Sequence, residues 1–129
     1  MKVVFRVDAS INIGIGHLVR CLTLAEALNE RGVQTQFICR EQAGNLISLL
    51  KKKAMSVIAL PASKKSNSMP GENYATWLGV TQLEDAKQTI ESLNGCRPDW
   101  IIVDHYGLDI EWEQKLRPHV NKLMVIDDL

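Results

Sequence analysis

Two short stretches set proton-transfer groups beside glycine. In RVDASINIGIGH, residues 6–17, a carboxylate at Asp8 is followed by Ser10, glycines at Gly14 and Gly16, and an imidazole at His17. In VDHYG, residues 103–107, an acid, an imidazole and a phenol are consecutive: Asp104, His105 and Tyr106, before Gly107. An imidazole with a carboxylate on one nitrogen can take a proton from water on the other. Glycines remove side chains where backbone must turn tightly or approach a ligand. The same residues have plainer uses. The glycines can simply shape a turn, His17 can hydrogen-bond its loop, and Asp104 can cap a turn under a packed Tyr106.

The elements that must position these groups are readable from periodicity. KVVFRV, residues 2–7, is a β-branched run and reads as a buried strand. A helix is expected from about Gly16 to Arg31, with Leu18, Cys21, Leu22, Ala25 and Leu28 on one face and Gly32 as its stop. A second strand at 33–39, a helix at 45–53 and a third strand at 55–60 follow. The segment 61–79 is polar and holds two prolines and two glycines, so it reads as a functional loop or a partly disordered one. Thr81 and Glu84 form a capping-box pattern ahead of a helix whose expected stripe is Leu83, Ala86, Ile90 and Leu93. A strand at 100–103, a short helix capped by Asp109 and a strand at 123–126 complete the chain.

Strands alternating with helices imply an α/β fold: a doubly wound, mostly parallel five-stranded sheet with helices on both faces. Right-handed crossovers then open every loop after a strand on one edge, where ligands bind in such folds. Asp8, Ser10, Gly14, Gly16 and His17 fall on that edge after the first strand. Asp104, His105 and Tyr106 fall on it after the fourth, and Asp127 and Asp128 after the fifth. At a helix start the macrodipole disfavours imidazolium, which suits His17 to a base, and Asp8 is placed to orient its ring. His119 falls on the opposite side beside Pro118.

Other chemistries fit less well. The third glycine of a dinucleotide fingerprint is Val19 here, and the second strand ends in Cys39-Arg40 rather than a ribose-binding acid, which argues against NAD or FAD. A carboxylate-held Mg²⁺ needs closely spaced acids after the first strand, and that loop reads Asp-Ala-Ser, so no metal is expected. Fifteen basic and fifteen acidic residues balance, which gives no field for nucleic acid or an anionic membrane. Three widely spaced cysteines suit a reducing cytoplasm, with Cys21 and Cys39 in core-like positions. The lysines at 51–53 and 64–65 read as solvated charge, while Trp77 could stack on a sugar or pin its loop.

FRVDASINIGIGHLVRCLTLAEALNERG, RGVQTQFICR, WLGVTQLEDAKQT, VDHYGLD and VIDDL together resemble, in order and over nearly the whole chain, the N-terminal domain of the UDP-2,4-diacetamido-2,4,6-trideoxy-β-L-altropyranose hydrolases of pseudaminic acid biosynthesis. The motifs G-x-G-H-x-x-R and D-H-Y-G carry the resemblance in combination. It implies a glycosyltransferase-B-like architecture and a UDP-sugar substrate, cleaved by water at C1 with inversion and without metal. It also implies His17 as the general base and Tyr106 at the active site. Asp8, Gly14, Gly16, Asp104 and His105 are then candidates for the substrate site. Family members continue past the I-D-D motif into a second domain that grips the diphosphate. Residues 1–129 therefore correspond to the sugar-binding, catalytic half, expected to be weak or inactive without the nucleotide-gripping half. A sugar transferase of the same architecture, or a non-enzymatic module binding a nucleotide-sugar or a partner, are the alternatives.

Overall fold

The computed structural model describes residues 1–62 and 77–127. Five strands form a single parallel sheet: β1 (Lys2–Val7), β2 (Gln34–Arg40), β3 (Ser56–Leu60), β4 (Trp100–Asp104) and β5 (Lys122–Val125), in the order β3-β2-β1-β4-β5. Among the described residues the named helices are α1 (Gly16–Glu30), α2 (Ile47–Lys52), α3 (Gln82–Leu93) and α4 (Ile110–Leu116), with a 3₁₀ turn at Arg117–His119. The fold is the expected doubly wound α/β sheet. The chain builds outward from β1 to β3, then crosses back to place β4 on the other side of β1. That reversal leaves a crevice between the C-terminal ends of β1 and β4.

The sheet's two-residue period assigns each side chain to a face. Val3, Phe5 and Val7 of β1 pack with Phe37, Cys39 and Ile102 under α1 and α2. Val4 of β1 packs with Ile38, Ile101 and Val103 under α3 and α4. Phe5 and Phe37 are paired neighbours across the β1–β2 ladder, and their rings stack at 5.0 Å between centroids. Among the described residues no helix is long and apolar enough to cross a membrane.

The face under α3 and α4 is not wholly apolar. Arg6 and Asp8 continue the parity of Val4, and Arg40 that of Ile38, so they enter the same core, fully buried. There Asp85 of α3 receives them. Its Oδ2 accepts from Arg6 Nη2 at 2.6 Å and Arg40 Nη2 at 2.7 Å, and its Oδ1 from Arg6 Nε at 3.1 Å and Trp112 Nε1 at 2.8 Å. Arg6 Nη1 also donates to Asp8 at 2.7 Å. This network corrects the expected stripe of α3. Leu83 is 58% exposed, while Asp85 and Thr89 are buried with Ala86 and Leu93, because the sheet opposite presents a guanidinium. Thr81 does cap the helix, accepting from the Glu84 amide, and Asp109 caps α4.

Two arginines and two aspartates neutralise one another in a space that water cannot reach. Removing one member leaves an uncompensated buried charge, which is far costlier than the pair's net stabilisation. Burial pushes the Asp85 carboxyl up, but the charge and hydrogen bonds of Arg6 and the donors of Arg40 outweigh it and hold it below its ordinary 3.8. A carboxylate depressed in the folded state stabilises above its unfolded value, and that contribution drains as pH falls through the folded value. Asp85→Ala is therefore expected to lose about 3–5 kcal/mol in urea denaturation at pH 7. The gap to the unmodified protein should narrow below 3.8; a gap that stays constant from pH 7 to pH 3 would contradict the linkage.

Candidate active site

His17 opens the first turn of α1, beside β1, and Asp104 ends β4, so the two meet across the crevice. Asp104 shares the parity of Ile102, which turns its side chain toward α1. Three α1 side chains converge on it. His17 Nδ1 lies 2.6 Å from Oδ1, Arg20 Nη2 donates to Oδ1 at 2.7 Å and Arg20 Nε to Oδ2 at 2.5 Å. Cys21 Sγ stands 3.5 Å from Oδ2. The spacing of His17 and Arg20, one helical turn apart, lets both reach a single carboxylate. Burial alone would raise the Asp104 pKa, but the hydrogen bonds and charges of Arg20 and His17 hold it below the usual carboxylate range. An ionised carboxylate only accepts, so Nδ1 carries the proton shared with Asp104. The Arg20 Nη2 contact to Nδ1 at 3.3 Å is then two donors sharing Oδ1. Tyr106 closes the other side of the imidazole, its ring edge-on with centroids 4.7 Å apart.

The loop between β1 and α1 is held by its own backbone. Ser10 and Gly14 form an isolated bridge, with the Gly14 amide donating to Ser10 O at 2.8 Å and the Ile13 amide to Ser10 Oγ at 3.0 Å. Gly14 has φ +80°, a conformation that favours glycine. Gly16 has an ordinary backbone, and the space where a Cβ would stand is open. Ile15 precedes α1 and makes no side-chain cap hydrogen bond to its first turn. From outside, Ala43 O accepts from the Ile11 amide at 2.9 Å.

Asp8 and His105 do not join this group. The expectation that Asp8 orients His17 is corrected: Asp8 follows the parity of Arg6 and lies on the α3/α4 face, while His17 and Asp104 lie on the α1 face. Asp8 is fully buried, gripped by Arg6 at 2.7 and 3.1 Å and by the Arg40 amide at 2.7 Å. Burial pushes its carboxyl up, and Arg6 and His105 more than reverse that, keeping it ionised. His105 Nε2 lies 3.0 Å from Asp8 Oδ2, and its Nδ1 accepts from the Gly107 amide at 2.9 Å. Both His105 nitrogens are engaged, and its side chain is 1% exposed against the buried Asp8.

Arg20 is the member that sequence reasoning named only as a motif letter. Its signal was the His17–Arg20 spacing on a helix, read against an acid at a strand end. His119 lies in the 3₁₀ turn at the opposite edge, near the start of β4. Cys21 and Cys39 are buried; burial pushes the Cys39 thiol up to about 12, and the Cys21 thiol rises too, by burial and then the Asp104 charge. Gln42 Nε2 donates to the carbonyls of Trp77 and Leu78, both at 3.0 Å, and so anchors these two residues beside β2. Most of the expected 61–79 loop, with Lys64 and Lys65, and Asp128 lie outside the described residues. Among the described residues no three His, Cys, Asp or Glu side chains group to hold a metal.

Gly44 is a constraint on the loop that the sequence did not single out. It has φ +85°, and a Cβ there would stand 2.8 Å from Ile11 N. Gly44→Ala is expected to cost about 1–3 kcal/mol of stability through the strained backbone alone. It should also shift the amide resonances of residues 10–14; an unperturbed loop would show that Gly44 does not set its position.

No known protein-family profile matches the chain. Two curated proteins are similar to it. One is an uncharacterised protein of Methanocaldococcus jannaschii, 20% identical over 128 residues, covering 99% of this chain and 22% of that protein. The other is the UDP-2,4-diacetamido-2,4,6-trideoxy-beta-L-altropyranose hydrolase of Campylobacter jejuni, 26% identical over 129 residues, covering 99% of this chain and 37% of that enzyme. The chain thus spans between a fifth and two fifths of the relatives it matches, and its distant likeness is to a nucleotide-sugar hydrolase.

Proposed function

We propose that this chain forms the sugar-binding, catalytic half of a nucleotide-sugar hydrolase, acting on a UDP-linked diacetamido-trideoxy sugar of pseudaminic acid biosynthesis. The observation that carries the reading is the 2.6 Å contact of His17 Nδ1 with a buried, ionised Asp104 at the crevice between β1 and β4. The distant likeness to the Campylobacter jejuni hydrolase supplies the substrate class.

His17 Nε2 takes a proton from water as the water oxygen bonds to C1 of the sugar, and the C1–O bond to the diphosphate breaks with its electron pair leaving on UDP. Asp104 fixes the tautomer that leaves Nε2 basic and offsets the imidazolium as it forms. Arg20 keeps Asp104 ionised, so the proton stays on His17. Tyr106 limits the rotation of the imidazole and lines the sugar site with Gly14 and Gly16. The uncapped amides at the start of α1 favour negative charge nearby, which suits a departing diphosphate. In this reading the nucleotide is gripped by a further domain, and three free cysteines suit a reaction in the reducing cytoplasm.

The test is titration of the chain with the UDP-sugar, followed by NMR, alongside UDP release by the longest polypeptide that carries it. Substrate should shift the His17 and Tyr106 ring signals. His17→Ala should abolish UDP release, and Asp104→Asn should slow it by on the order of 10³–10⁴ through the wrong tautomer. Free sugar as product separates hydrolysis from transfer to an acceptor. Hydrolysis retained without His17, or substrate shifts that bypass both rings, would refute the reading.

A further inference from the structure

Two histidines stand on opposite faces of the sheet beside two aspartates, and each turns a different ring nitrogen to its carboxylate. His17 faces α1 with Nδ1 on Asp104. His105 faces α3 and α4 with Nε2 on Asp8 Oδ2 at 3.0 Å, and the Gly107 amide donates to its Nδ1 at 2.9 Å. An amide N–H needs an acceptor, so Nδ1 of His105 is unprotonated and the proton is on Nε2, pointed at the carboxylate. The residue between the two anchored positions is Tyr106, and the residue before them is Asp104. The turn closes with the Leu108 amide donating to His105 O at 3.2 Å.

We propose that His105 is a positioning residue for the His17 site, locking the 104–107 turn as a neutral Nε2–H tautomer tethered to Asp8. The tether has a fixed base. Asp8 is held by both Arg6 nitrogens and the Arg40 amide, and Arg6 is held in turn by Asp85 of α3. His105 therefore ties the turn to a buried, charge-balanced core at one end. At the other end the same turn delivers Asp104 and Tyr106 to the two sides of His17. Losing both hydrogen bonds frees the turn to rotate, and a base displaced by about 1 Å costs on the order of 10² in rate.

This deepens the hydrolase reading, and its first test needs no substrate. Long-range ¹⁵N–¹H NMR of the unmodified chain at neutral pH should show two neutral rings of opposite tautomer: His17 protonated at Nδ1 and His105 at Nε2. A charged His105, or one protonated at Nδ1, overturns the proposal whether or not the protein is a hydrolase. The second test compares three variants. In His105→Asn the amide oxygen stands where Nδ1 stood and can still accept from Gly107; His105→Gln can reach Asp8; His105→Leu does neither. The Asn variant should keep the nuclear Overhauser contacts between the Tyr106 and His17 rings, and the folded Leu variant should lose them. Where UDP-sugar hydrolysis is measurable, Leu should lower kcat by about 10–100-fold with KM changed less than about threefold, and Asn should restore most of it. Ring contacts unchanged in a folded His105→Leu protein would overturn the positioning role. If the tautomers and ring contacts behave as expected but no UDP-sugar is cleaved, the substrate assignment fails and the positioning of His17 stands.

Discussion

Asp104 is the group on which the candidate site depends. Its carboxylate is buried at the end of β4, and His17, Arg20 and Cys21 of α1 all point at it. The topology makes this meeting possible. Because β4 crosses back to lie beside β1, the helix that follows β1 passes over the end of β4, and Val7 and Asp104 are partners across the ladder. In a sheet wound in one direction only, residues 17 and 104 would have no reason to be neighbours. The long-range contact between them also closes the crevice at its base, where residues from two distant parts of the chain share one acceptor.

The sheet's alternation explains why two similar acids serve different ends. Asp8 and Asp104 end neighbouring parallel strands and lie at nearly the same height, yet each continues the parity of a different face. Asp104 goes with Ile102 to the α1 side, and Asp8 goes with Val4 and Arg6 to the α3/α4 side. One carboxylate is left to act on an imidazole at the crevice. The other is enclosed with two guanidiniums and a second aspartate, a set whose formal charges cancel. Burying such a set is tolerable only when each member is satisfied. Nearly all its polar atoms are; among the described residues Arg40 Nε is the buried atom of the set that lacks a partner.

The sheet, its parallel order, the helix caps at Thr81 and Asp109 and the shared edge of His17 and Asp104 were legible from period, capping residues and strand–helix alternation. The pairing within that edge was not read correctly, although the signal was present. Counting by twos from Val4 puts Asp8 with Arg6, and counting by twos from Ile102 puts Asp104 with α1. The stripe of α3 failed for a different reason. Leu83 fits a helical repeat as well as Ala86 does, and nothing local to α3 announces that the opposing surface contains Arg6 and Arg40. A buried aspartate answering two strand arginines is a non-local fact, visible only once strand parity and helix placement are combined. The role of Gly44 was hidden likewise, because its close neighbour is Ile11, far away in sequence.

The contrast between the two charge clusters bears on what each can do. The Arg6–Asp8–Arg40–Asp85 set is formally neutral, sealed from water, and each carboxylate in it is held ionised by its arginines, so it has no proton to exchange near neutrality. It is suited to holding backbone in place. In the His17–Asp104–Arg20 set, by contrast, His17 and Arg20 keep some exposure. When His17 accepts a proton, this second set acquires a single positive charge at the rim of the crevice. That charge is stabilised most when an anion appears beside it in the same step. A reaction that takes a proton from water while a phosphate group departs creates both charges together, a few ångströms apart. In the proposed hydrolase reading, the arrangement therefore suits a bond cleavage that releases negative charge, whichever sugar is carried.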